Sequence, residues 1–433
     1  MKRILLLMFI IFFSFVKGYA IKDVKYWENL YNQSLDTSYW INLSESPFSL
    51  EHYTLGYGMD ASVAMYEATN DLKYLDFAIR LANNVISTAK PICELSKFPD
   101  NSHCIFKGWD IGKDKNAQYP LYESYLFRYI TKLLRVIKEN PELINNPNYN
   151  YHYYHILNFT KENIWNKWYS QGLLNIFRLR THMAAHWAYI ALDLFIIEPN
   201  SPKSCDYYTV FSKVNFVGFI QEPNLASFSL RSQKPHELSD PQYFSWINGT
   251  WDPSTNEEIQ DVSHANNVVS YIIESHENCI HWNYDDIKGL KSMLFNVAWN
   301  NETKTFNDCF NKKDDCFKEI TVGIGQFQSD GWVKLGRYDI EIQEFYEDQH
   351  RQDLIINYLK KYSYVFYAHM AHNAQVLNNK KKYNCSSFIT PHPDEIYQKN
   401  CKLNLENKFS IIEVPINQKK KLFKFRNFFN KKQ

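Results

Sequence analysis

The chain has little strand-like alternation, no apolar run long enough to span a bilayer comfortably, and almost no net charge. Half-buried strands need a period of two, so the first absence argues against a sheet-based fold. The one candidate strand is FSIIEVPI near the C-terminus. The run from Ile4 to Val16 is 13 residues, short of the ~20 that a spanning helix requires. The formal net charge of +1 hides an asymmetry. Residues 417–433, NQKKKLFKFRNFFNKKQ, carry seven Lys/Arg and no acid, and the first 20 residues carry three more. Removing those ten from the total of 48 leaves 38 basic against 47 acidic side chains, a balance of −9. Such a body is a poor nucleic-acid binder, so no nucleic-acid partner is expected. The tail, 417–433, reads as a solvated extension with weak adhesion to anionic lipid or polysaccharide as the alternative.

The opening MKRILLLMFIIFFSFVKGYA pairs a basic start with an apolar run and small residues at Gly18 and Ala20. That layout predicts a signal peptide over 1–20, cleaved after Ala20, and a secreted or periplasmic protein. Eight cysteines suit an oxidising compartment. Proximity suggests Cys93–Cys104, Cys309–Cys316 and Cys385–Cys401, with Cys205–Cys279 as the long-range pair. N-x-Ser/Thr sequons occur at Asn32, Asn42, Asn158, Asn248, Asn301 and Asn384, and matter where the host glycosylates.

What is present is helical pairing. In MDASVAMYEATNDLKYLDFAIRLANNVI, Ala61, Ala64, Met65 and Ala68 form one apolar stripe; Leu75, Ala78, Ile79, Ala82 and Ile86 form another. The TND between them supplies a stop and an N-cap. Comparable pairs follow from LYESYLFRYITKLLRVIKE, THMAAHWAYIALDLFII, DVSHANNVVSYIIESHE and WVKLGRYDIEIQEFYEDQH. Each is joined to a second helical stretch, and a further helix is expected near Tyr26–Tyr31. The expected fold is all-α: an α/α toroid of about five to six hairpins over 21–380, then a disulfide-bearing β or irregular extension over 381–416. Stacked hairpins bury faces that none can bury alone.

Aromatic and Gly-rich segments precede the first helix of several pairs: HYTLGYGMD, FKGWDIGKDKNAQY, the stretch from Tyr243 to Asn267, and GIGQFQSDGW. In a toroid these would converge on one rim, where loops on a rigid scaffold form sites. The hairpin YEATNDLKYLDFAIRLANNVI resembles the six-hairpin toroids of polysaccharide lyases, uronyl hydrolases and glucuronyl epimerases, over about residues 50–380. The stretch D-V-S-H-A-N, Asp261–Asn266, resembles a site-bearing helix entry in lyase-like members. The resemblance implies carbohydrate chemistry, with a polysaccharide or oligosaccharide as substrate.

On that rim, Tyr57, Trp109, Tyr119, Trp246, Trp251 and Trp332 offer flat rings for sugar C–H faces, against ordinary packing as the plainer reading. Asp60, Glu123 and Asp261 are the neighbouring acids. His264 follows Asp261 in the first turn of a helix, where Asp261 explains itself as a cap and the histidine does not. His264 or His182 is the expected base, Arg180 with Asn266 the groups that neutralise a uronate carboxylate, and Tyr243 or Tyr338 the proton donor. His182 and His186 share a helix face, but no HExxH pattern completes a metal site, and neither metal nor cofactor is expected. His369 and His372, placed late in the last outer helix, read as structural. The leading expectation is β-elimination by a polysaccharide lyase. A glycoside hydrolase using two carboxylates such as Asp60 and Asp261, or a non-catalytic glycan-binding toroid, are the alternatives.

Overall fold

A computed structural model describes residues 21–95, 104–112, 118–173, 176, 180–217, 229–231, 260–308, 324–352 and 362–379. The expected signal segment, the extension, the basic tail, Cys309, Cys316, Cys385, Cys401, Tyr243, Trp246 and Trp251 lie outside these residues. The described residues are mostly helical, with two short antiparallel ladders. Lys90–Pro91 pairs with Lys107–Gly108, and Trp299–Asn300 with Thr305–Phe306.

Local chemistry sets the helix ends. Helices α1 (Val24–Ser34) and α2 (Thr37–Ser44) open behind Asp23 and Asp36, whose side chains accept first-turn N–H groups. Helix α3 (Ser49–Thr69) stops at Asn70, left-handed at φ 57°, and Asp71 then caps α4 (Leu72–Thr88). The TND turn works as its sequence implies. HYTLGYGMD, expected as a rim loop, is instead part of α3. Its glycines admit neighbours, because a Cβ on Gly56 would stand 2.7 Å from the Tyr125 ring, and one on Gly58 2.8 Å from Trp40.

Burial separates two kinds of helix. Helix α4 buries one stripe, Tyr74, Leu75, Ala78, Ile79, Ala82 and Ile86 among it, as an outer amphipathic helix does. By contrast, α3, α5 (Pro120–Glu139), α7 (Thr181–Ile197), α9 (Val262–Glu277) and α12 (Ser363–Asn378) are buried on nearly every side. Helix α3 packs on α12 and α5, α5 on α7, α7 on α9, and α9 on the 3-10 segment Trp332–Arg337, which packs on α12. Helices α1, α4, α6 (Pro147–Phe159) and α8 (Ser204–Ser212) lie against α12, α3, α5 and α7 respectively.

Two sequence boundaries and one helix placement change. Much of NPNYNYHY, whose polar make-up reads as a break between helices, is helical, because Asn146 caps and Pro147 starts α6. WVKLGRYDIEIQEFYEDQH is two elements, the 3-10 segment and α11 (Ile340–Arg351), divided at the cap Asp339; α10 (Tyr284–Met293) precedes both. Helix α12, expected on the outside, is among the most buried, with His369 fully buried. The expected Cys93–Cys104 bridge is not formed: both thiols are free, and donating a hydrogen bond to Cys93 raises the Cys104 thiol.

All-round burial of charged helices demands pairing. Asp60 on α3 accepts from His369 (2.8 Å) and pairs with Lys334 (3.1 Å). Glu274 pairs with Arg135 and Lys132, and Arg135 also meets Asp193 at 3.1 Å. Burial opposes ionisation of Asp60, but Lys334 and His369 outweigh it and hold the carboxyl far below its usual range. Burial brings Lys334 down to about 8. Losing one partner of such a buried pair costs about 3–5 kcal/mol.

Candidate functional site

The N-termini of α7 and α9 lie side by side, and their first turns place His182 and His264 ring to ring, 4.6 Å between centroids. Asp261, the α9 N-cap, accepts the backbone N–H of His264 at 2.8 Å with one oxygen. Its other oxygen is 2.6 Å from His264 Nδ1. Burial works against the charge on Asp261, but His264 and these hydrogen bonds outweigh it and keep the carboxyl below its usual range. An ionised acceptor places a proton on Nδ1, so the neutral tautomer of this ring carries its lone pair on Nε2. The His264 side chain is 43% exposed while that of Asp261 is 4%. One nitrogen is thus anchored inside and the imidazole is open to solvent.

Behind this dyad the imidazoles are neutral. Burial holds His182 well below the usual histidine range, with His264, His186 and Arg180 pushing the same way. Burial does the same to His186, reinforced by Arg128. Gln260 Nε2 is 3.2 Å from His182 Nδ1, and Ser124 Oγ is 3.3 Å from His186 Nδ1. His186 meets the Tyr125 ring at 5.3 Å, and Tyr125 continues into a wall of rings. Tyr53 is 4.2 Å from Tyr125, Tyr57 is 5.2 Å from it, and Tyr362 is 4.8 Å from Tyr57. Tyr53, Tyr122, Phe327 and Tyr362 in this wall are half-buried. Burial raises Tyr53 and Tyr57, so both stay protonated donors at neutral pH. The Tyr125 hydroxyl donates to Asp330 at 2.7 Å, and Arg128 pairs with the same carboxylate at 3.2 Å.

The expected site residues fall into separate groups. His264, His182, Asp261 and Arg180 come together, with Arg180 half-buried at the α7 N-cap. Tyr57 and Tyr119 join through the ring wall, Tyr119 meeting Tyr122 edge-on at 5.0 Å. Asn266 is placed differently from its expected carboxylate role. It is buried, donates to Phe327 O at 2.6 Å and accepts from Trp332 N–H at 3.0 Å, so it ties the 327–332 segment to α9. Trp332 is buried and donates to Val262 O; Trp109 is buried and donates to Thr88. Neither presents a face to a ligand. Glu123 is buried between Lys167 (2.7 Å) and Trp168 Nε1 (2.7 Å), and Asp60 is enclosed by its own pair.

Tyr338 lies beyond the opposite end of α9, where its hydroxyl is 3.4 Å from Glu277 and its ring meets His276. Thirteen residues of helix between 264 and 277 separate the two ends by about 20 Å. Sequence reasoning passed over Gln260, Tyr53, Tyr122, Tyr125 and Arg128. Tyr53 and Tyr122 had an available signal, since each lies four or three residues from a rim tyrosine, on one helix face.

Among the described residues no group of three or more His, Cys, Asp or Glu is arranged to hold a metal ion, and no helix is long and apolar enough to cross a membrane. Comparisons with family models, curated proteins and solved structures return no match for this chain.

Proposed function

We propose that the protein is an exported carbohydrate-active enzyme, a polysaccharide lyase that cleaves a uronate-containing glycan by β-elimination. The observation that carries this reading is the half-exposed His264, oriented by a buried ionised Asp261 and backed by neutral His182, beside a tyrosine wall. A base oriented in this way can take the proton from the carbon next to a uronate carboxylate. The carbon–oxygen bond to the leaving sugar then breaks as the double bond forms, and a hydroxyl of the wall, Tyr53 or Tyr57, protonates the departing oxygen. Arg180 and the two adjacent helix N-termini favour the negative carboxylate and the charge that develops on it. The ring faces support a sugar chain.

The closed order of helix neighbours, from α3 round to α12, supports a toroid in which α3, α5, α7, α9 and α12 form the inner layer. Export enters through the leader-like 1–20 segment. It is consistent with pairing of Cys205 and Cys279, because α7 and α9 run in parallel and both residues follow their far ends. Peptide mapping without reduction tests that bridge. A hydrolase built on Asp60 and Asp261 is less favoured, since Asp60 is enclosed by Lys334 and His369. The test is the mass of the products from a panel of uronate polymers. Elimination leaves fragments whose masses sum to that of the substrate, whereas hydrolysis adds one water per cut.

A further inference from the structure

Helix α6 presents two different faces. Tyr149, Tyr153, Ile156 and Leu157 are buried against the body. The opposite face would ordinarily be charged, yet it carries Tyr151, 65% exposed, and Tyr154, 47% exposed, beside His155 and Asn158. The Tyr151 and His155 rings are nearly parallel, 6° apart in plane with centroids 6.1 Å apart. They lie one turn apart on a helix fixed by its buried side. Tyr154 is set edge-on to buried Tyr153 at 5.0 Å. With Pro147, Asn150 and Asn158 these rings line a surface groove of about 500 Å3. Asn150 donates to Ile144 O at 2.9 Å, which fixes its amide.

The lining holds no Lys, Arg, Asp or Glu. It combines flat ring faces with two amides that can both donate and accept. That chemistry matches a pyranose, which offers an apolar C–H face and vicinal hydroxyls, and a groove of this size holds one or two sugar rings. We infer that the Tyr151–Tyr154–His155 face of α6 is a second glycan-binding site, separate from the His264 dyad, that takes neutral sugar residues. A lining without Lys or Arg makes it a poor site for a uronate or sulfate group. It therefore holds a chain by its neutral residues while the dyad works on the acidic ones. The inference rests on the carbohydrate reading above for its biological setting, but its binding is measured independently of any cleavage.

The test is native gel electrophoresis of protein made in bacteria, where the Asn158 sequon stays bare. The gels contain galactomannan, xyloglucan, arabinoxylan or dextran. Wild type is expected to be retarded by at least one polymer, equally in low and high salt, and His264→Ala equally so. Tyr151→Ala/Tyr154→Ala is expected to lose at least ten-fold in apparent affinity with an unchanged melting temperature. Tyr151→Leu/Tyr154→Leu, which keeps apolar area without flat rings, is expected to lose as much. Wild type running alike in every gel would overturn the inference, as would retardation that survives in the alanine double variant. Conversion of a dimer to monomer by the double substitution would also overturn it, because the face would then belong to a second copy of the chain.

Discussion

Asp261 holds His264 twice, accepting the backbone N–H at 2.8 Å and facing the ring nitrogen at 2.6 Å. The same residue is thus a helix cap and the group that orients an imidazole. The two roles separate under substitution. Asn caps about as well as Asp, so Asp261→Asn is expected to keep the melting temperature close to that of wild type. Its amide cannot hold the Nδ1–H tautomer as the carboxylate does, and turnover is expected to fall about a hundred-fold or more. Asp261→Ala is expected to lose activity and also about 1 kcal/mol of stability. Thermal melts beside rate measurements check the pair. Equal activity in the Asn variant would remove Asp261 from the chemistry.

Acid sensitivity follows from four buried histidines. Burial brings His52 and His369 down to about 3 and holds His182 and His186 well below the ordinary value of 6.5. The folded state therefore binds fewer protons than the unfolded chain. The stabilisation is fully present above about pH 6.5 and is lost as pH falls towards 3. Each such proton contributes a slope of about 1.4 kcal/mol per pH unit inside that window. Urea midpoints between pH 7.5 and 4 are expected to drop steeply. His52→Gln is expected to make the slope shallower by about one proton. A flat profile, or an unchanged slope in the variant, contradicts this account.

The Asp60–Lys334–His369 cluster is expected to be structural. Asp60→Asn leaves the Lys334 ammonium buried with Ser270 as its remaining close partner, at a cost of about 3–5 kcal/mol. Asp60→Leu/Lys334→Met, which removes both charges, is expected to be more stable than either single variant. Denaturant curves for Asp60→Leu, Lys334→Met and the double variant decide. A double variant as unstable as the sum of the singles would contradict the pairing.

Gly331 touches the dyad helix from behind. A Cβ there would stand 2.3 Å from Asn266 O and 2.5 Å from its Cα, and backbone cannot yield as a side chain can. Gly331→Ala is expected to cost about 1–3 kcal/mol and to lower turnover by shifting the first turn of α9. Unchanged stability would show that the 327–332 segment moves freely against α9.

The legible parts of this chain were those governed by local rules. The TND turn, the Asp261 cap and the 181–197 helix follow from capping residues and period, and the structure has them where the sequence places them. Trp109 and Trp332 were misplaced because composition cannot tell a ring on a rim from one between helices. Glu123 and Asp60 look like rim acids until Lys167 and Lys334, distant in sequence, are seen to enclose them. The α12 reading failed for a related reason. A helix buried on every side has no strong polar face, so its sequence does not say whether it is inner or outer.

The most direct measurement is ultraviolet absorbance of newly formed unsaturated uronate. Wild type and His264→Ala are compared side by side on alginate, pectate, heparan, hyaluronan and chondroitin. The account predicts a steady rise with wild type on at least one polymer and loss of at least a hundred-fold of that rate in His264→Ala, with its melting temperature unchanged. A rise that survives in His264→Ala, or new reducing ends without any absorbance, would contradict it.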